Sequence, residues 1–198
     1  MTCGVWIGAV PVHLNSFPQL DPQIEEQVSE MLQEAGIIVS RMETSESTLC
    51  SLLQRLKQRL SALEKDVLRD ELKKEISEAL EAGGIPLKLR DKMVIVFVSL
   101  LMEGIVLVHA EPGSSIILYL KCESFETLWS LKEMILSGLL LQLLSEVIKV
   151  FIESRPHIEL IVREDDYNLT LACLLSVAGK FRRLLLLHLN HYKYVKKL

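Results

Sequence analysis

The sequence predicts an α+β fold: a small antiparallel β-sheet with helices packed on one face, preceded by a long helical hairpin or coiled-coil-like region. Leucine is the most frequent apolar residue, and its unbranched Cβ favours helices. In the first half, leucines recur at alternating steps of four and three residues, as on one face of a helix. In the second half, two β-rich runs flank a Pro-Gly turn, which is typical of a hairpin.

The chain opens with a β-prone run over residues 5–14. Pro11 predicts an edge strand, because proline has no N–H to donate to a neighbouring strand. Asp21 and Pro22 then supply a helix cap and a proline at the first helical position. We therefore expect a helix over residues 23–35 that stops at Gly36, followed by a short strand over residues 37–39.

A leucine seam follows and predicts a long helical region. The seam consists of Leu49, Leu53, Leu56, Leu60, Leu63 and Val67, and it then shifts to Leu68, Leu72, Ile76 and Leu80. A coiled coil needs three to four heptads in one register, so the shift favours packing within the chain. Self-association through Leu49, Leu53, Leu56, Leu60 and Leu63 is the alternative. The break at residues 83–86 predicts two units, residues 1–84 and 85–198.

The second half predicts alternating strands and helices. Strands over residues 105–109 and 115–122 form the hairpin. Ser124 caps a helix that Ser137 and Gly138 interrupt, and a second helix runs over residues 139–152. A strand is expected over residues 157–163, and a last helix begins at Asp165 and Asp166.

The sequence contains no recognisable catalytic or ligand-binding motif. The four cysteines lie far apart without a CxxC pair, which argues against a zinc site and a disulfide framework. Phosphate-binding loops and the common hydrolase and metalloprotease motifs are absent from the sequence. His188 and His191 could face one ligand, but no acidic residue follows Asp166 to complete a metal shell. We expect no catalytic residue, no cofactor and no metal.

Charge and hydropathy bear on partners and location. The pI of about 5.8 argues against nucleic acid as a partner. After Tyr167 the chain has six basic residues and no acidic one, which suits a helix C-terminus; an amphipathic membrane-surface protein is the alternative. The apolar run over residues 93–109 is interrupted at Glu103 and falls short of the ~20 residues of a bilayer span. With no transmembrane segment and no secretory signal at the start, we expect a cytoplasmic protein.

Several segments resemble the amino-terminal, TRAF-binding domain of the TNF-receptor-associated death-domain adaptor (TRADD). They are residues 113–122, 125–129 and 137–140, the strand 157–162, the helix 165–175 and the opening residues 5–9. The resemblance covers roughly residues 93–198 and the start of the chain. It implies an α/β sandwich and a signalling adaptor, in TNF-receptor, apoptosis or innate-immune pathways, that binds TRAF-family proteins. Pro11 and His13 stand where the adaptor's first strand presents aromatic residues, which is a departure at the TRAF-contacting positions.

Strand alternation predicts a binding surface. Residues 116, 118, 120 and 122 should face the helices, as should residues 158, 160 and 162. The opposite face then carries an apolar patch of Ile117, Tyr119 and Ile161, ringed by Lys121, Glu159 and Arg163, which is the composition of a protein contact with a polar rim. The alternative is that the long amino-terminal helices cover this face.

Overall fold

The computed structural model describes residues 9–44, 61–113, 115–152 and 157–177. Within these ranges the chain forms six helices and a four-stranded antiparallel sheet, which confirms the α+β class. The helices are α1 Pro22–Thr44, α2 Ala62–Ala82, α3 Leu87–Met102, α4 Phe125–Leu136, α5 Leu139–Ile148 and α6 Glu164–Val177. The strands are β1 Ala9–Phe17, β2 Ile105–Glu111, β3 Ile116–Cys122 and β4 His157–Val162, in the order β2-β3-β1-β4.

Strand β1 lies in the interior of the sheet, so the prediction of an edge strand is wrong. It pairs antiparallel with β3 on one side and with β4 on the other. Pro11 is tolerated because the ladder with β4 begins only at Val12, whereas Pro11 pairs with Tyr119 of β3. The effect of the proline is therefore local. The sheet combines strands from both sides of residue 84, and the division into residues 1–84 and 85–198 stays a prediction.

One face of the sheet is buried under the helices. In β3 the buried residues are Ile116, Leu118, Leu120 and Cys122, as strand alternation predicts. In β1 they are Val10, Val12 and Leu14. Ile158, Leu160 and Val162 of β4 are half-buried and pack against the same core. This inner face joins α3, whose Met93, Phe97 and Leu100 are buried, in one hydrophobic core.

Helix α1 begins as expected but continues beyond Gly36. Asp21 accepts a hydrogen bond from the Gln23 N–H at 2.8 Å and caps the helix. The predicted stop at Gly36 and the strand over residues 37–39 are wrong, because the helix runs on to Thr44. Gly36 lies against β2, where an added Cβ would meet the Leu107 carbonyl oxygen at 3.3 Å. The glycine therefore permits close packing of a helix on a strand.

Helix α2 carries the second leucine series. Leu68, Leu72, Ile76 and Leu80 are fully buried. They pack within the chain, where α2 lies against α3 and α1. Of the first series, Leu63 is 75 % exposed and Val67 is 47 % exposed. Leu49, Leu53, Leu56 and Leu60 lie outside the described residues, so self-association through that seam stays a prediction.

The remaining helix ends follow local signals. Ser124 caps α4 by accepting a hydrogen bond from the Thr127 N–H at 3.1 Å. Gly138 separates α4 from α5 with a φ of 76°, a left-handed conformation that glycine adopts without strain. Ser61 and Glu64 form a reciprocal capping box at the start of α2. Among the described helices, none is both long and apolar enough to cross a membrane.

The two leucine series predict different mutational costs within one helix. Leu72→Ala removes a fully buried side chain, so we expect it to lower the free energy of unfolding by about 2–5 kcal/mol. Leu63→Ala is the matched control, because its side chain is largely exposed, and it should cost under about 0.5 kcal/mol. Urea denaturation of both variants measures the difference. Equal losses for the two variants would contradict the burial of the second series.

Candidate functional site

The six residues that the sequence predicts as a binding surface lie at the outer face of the sheet, opposite the helices. Ile117, Tyr119 and Lys121 of β3 are half-buried. In β4, Glu159 is half-buried and Ile161 is 40 % exposed. Arg163 follows β4 and is exposed. In β3 the outer side chains thus retain solvent contact, whereas the inner ones are buried.

The centre of this face is His13, which is not among the six residues of the predicted patch. His13 pairs with Ile117 of β3 on one side and with Ile161 of β4 on the other. The two isoleucines are therefore separated by a whole strand, about 10 Å at the usual strand spacing. We call the row of Ile117, His13 and Ile161 the outer row. Side chains alternate between the two faces of β1, and Val10, Val12 and Leu14 face inward. This alternation is the sequence signal that places His13 on the outer face.

A second row lies beside the outer row and is held by side-chain contacts. Tyr119 pairs with Pro11 of β1 and with His109 of β2. Its hydroxyl donates a hydrogen bond to Glu111 Oε1 at 2.7 Å. The imidazole of His109 lies 5.6 Å from the Tyr119 ring and 3.6 Å from Glu111 Oε2. The phenol is thereby held in one orientation, which reduces the side-chain entropy that binding would cost.

Charged residues of both signs surround these rows. Lys121 Nζ lies 3.2 Å from Glu123 Oε1, and Glu159 Oε1 lies 3.1 Å from His157 Nε2. These pairs are exposed, so their contribution to stability is small. Their position at the border of an apolar row is that of the polar rim of a protein interface.

The electrostatic environment of His13 favours its neutral form. Burial lowers the pKa of the imidazole from its ordinary value of 6.5, and the positive charge of Arg163 lowers it further. Asp166 and Glu111 act in the opposite direction. The net effect is a lowered pKa, since desolvation of the charged imidazole is the largest cause. Near neutral pH, a smaller fraction of His13 is therefore charged than for a histidine with the ordinary pKa. The middle of the outer row is correspondingly less polar.

Two further observations concern a buried thiol and metal binding. Burial raises the pKa of the Cys122 thiol to about 12, so this cysteine stays protonated and is a poor nucleophile. No group of three histidine, cysteine or acidic side chains in the described ranges could hold a metal ion. His188, His191 and the basic residues near the chain end lie outside those ranges.

A small cavity lies beneath the sheet between α4, α6 and β4. Its volume is about 60 Å³. Six apolar or aromatic side chains line it together with one lysine and one glutamate; they are Val10, Leu131, Ile135, Leu136, Val162, Tyr167, Lys132 and Glu164. Leu136 and Glu164 are exposed, so the cavity opens to solvent at the border of the core.

Comparison with known proteins identifies no relative. No family model, curated protein or solved structure matches this chain. The resemblance to the TRAF-binding domain stays a prediction.

The lowered pKa of His13 predicts a pH effect on stability. Because the folded state binds the proton more weakly than the unfolded chain, the free energy of unfolding should fall as the pH drops below 6.5 and towards the folded-state value. His13→Gln should remove this part of the decline. An NMR titration of the His13 imidazole should give a midpoint below 6.5. A midpoint at or above that value would show that the imidazole is not desolvated.

Proposed function

We propose that this chain is a non-catalytic adaptor that works in the cytoplasm and binds a protein partner through the outer face of its sheet. The outer row carries the proposal: two isoleucines and a histidine whose pKa is lowered occupy three adjacent strands at one level of the sheet. An apolar centre with a rim of both charges is the usual anatomy of a protein contact.

The contrast between the two faces supports this reading. The inner side chains of β1 and β3 are buried under helices, whereas the outer ones keep partial exposure. Among the described helices, α1 lies along β2 and α2 packs on α3. Neither buries Ile161, which remains 40 % exposed. An apolar side chain on this face is thus open for contact with a partner.

The resemblance noted in the sequence supplies a specific partner class. TRAF-family proteins are the candidates, and apoptosis or innate-immune signalling is the corresponding process. Pro11 and His13 do lie on the outer side of β1, where the resemblance places partner contacts, but neither is a phenylalanine, tyrosine or tryptophan. The adaptor role with an unspecified protein partner is therefore the broader proposal, and TRAF binding is its finer form.

Ile117→Lys tests the proposal with little expected damage to the fold. The new lysine would face Glu111 across the β2–β3 ladder, so a cross-strand ion pair can offset the lost apolar contact. We expect an unchanged melting temperature and a partner affinity weakened roughly tenfold or more. Proteins captured from cytosolic extract are compared by mass spectrometry, and purified TRAF-family domains are titrated by calorimetry.

Leu169→Lys is the matched control. Leu169 is 60 % exposed on α6, away from the outer face, so its replacement adds the same charge without touching the outer row. Proteins retained by the wild type and this control but lost by Ile117→Lys support the proposal. Identical sets of captured proteins for both variants would contradict it. If Ile117→Lys loses captured proteins but the wild type binds no TRAF-family domain, the adaptor role is supported and TRAF binding is contradicted.

A further inference from the structure

The two edge strands of the sheet, β2 and β4, differ in whether a helix covers them. At the β2 edge, the Ala110 N–H donates to Gln33 Oε1 of α1 at 2.6 Å, and Gly36 brings the same helix against Leu107. This edge is covered, as sheet edges in monomeric proteins usually are. At the other edge, β4 pairs with β1 and with no other strand in the described part of the chain. That edge of β4 is the place where the sheet can be extended.

Hydrogen-bond alternation shows which groups of β4 face outward along the edge. The Ala110 N–H donates to α1, so Ala110 exchanges no backbone hydrogen bonds with its cross-strand partner Leu118. The backbone groups of Leu118 therefore point to the other side, where they bond Val12 of β1. Val12 therefore does not bond its partner in β4, Val162. The N–H and C=O groups of Val162, Leu160 and Ile158 therefore point away from β1. Each chain thus offers three donors and three acceptors along the described length of this edge.

We propose that β4 pairs antiparallel with β4 of a second copy of this chain, so that two sheets join into one of eight strands. The charges beside this edge favour a second copy of the chain as the pairing partner. When Ile161 faces Ile161 of the second copy, Glu159 of each chain faces Arg163 of the other. The register gives two ion pairs that flank a contact between two exposed isoleucines, and Leu160 and Val162 exchange four backbone hydrogen bonds across the junction.

Neighbouring registers lack this complementarity. If Glu159 faced Glu159 of the second copy, two like charges would oppose each other, which is destabilising. If Leu160 faced its own copy, His157 would face Arg163 and Glu159 would face Ile161. A two-fold interface is self-complementary, because residue i of one copy contacts residue j of the other and the reverse holds too. The register centred on Ile161 satisfies that requirement.

The pairing does not rest on the proposed adaptor function. It would place two outer rows on one continuous face, related by a two-fold axis at Ile161. A partner with two matching sites would then bind more tightly than one site allows.

Charge reversal tests the interface and its register. Glu159→Arg puts two arginines opposite each other in a homodimer, and Arg163→Glu puts two glutamates opposite each other. Each variant alone should weaken dimerisation roughly tenfold or more. An equimolar mixture of the two variants should form a heterodimer, because every arginine then faces a glutamate. The double variant Glu159→Arg/Arg163→Glu should dimerise like the wild type.

Sedimentation velocity over a range of concentrations measures these outcomes, with circular dichroism to show that each variant is folded. Recovery of the dimer in the mixture and in the double variant establishes the register. A wild type that stays monomeric at high micromolar concentration would overturn the proposal. Single variants that dimerise like the wild type would place the interface elsewhere, for example on the leucine seam. Folded single variants whose mixture stays monomeric would contradict the register.

Discussion

The pairing of β1 between β3 and β4 is the constraint on which the rest of the structure depends. It brings a strand from the start of the chain into contact with strands more than 100 residues later. Val10, Val12 and Leu14 complete the inner face, and His13 completes the outer one. Helix α6 is tied to the same strand, because Thr170 Oγ1 donates to the Ala9 carbonyl at 3.3 Å. Without β1, the hairpin of β2 and β3 would be separated from β4.

Local signals in the sequence predict several helix ends and the hairpin, whereas the order of the strands does not follow from them. Asp21, Ser124 and Gly138 act on their own helix ends, so their effects can be read from neighbouring residues. Strand alternation likewise assigned the faces of β3 and β4. Pro11 predicts an edge strand because a proline has no N–H to donate to a ladder. The prediction fails because the ladder with β4 begins only at Val12, and where a ladder begins depends on distant residues. The predicted helix stop at Gly36 is wrong for a similar reason, since the close approach of Gly36 to Leu107 is a tertiary contact.

The candidate surface was predicted in composition but not in arrangement. All six predicted residues lie at the outer face, yet Ile117 and Ile161 are separated by β1. His13 became the centre only when β1 was placed between them. The same strand order leaves β4 at an edge, whereas the other edge, β2, is covered by α1. One topological fact therefore determines both the proposed partner surface and the proposed junction between two copies.

Amide hydrogen exchange of β1 tests the placement of this strand most directly. By the alternation of the ladders, the Val12 N–H bonds to β3 and the His13 N–H bonds to β4. Both amides should therefore exchange as slowly as the most protected amides of β3, through opening of the whole sheet. Rapid exchange at both residues while β3 stays protected would contradict the account, because it would show that β1 does not hold the sheet together.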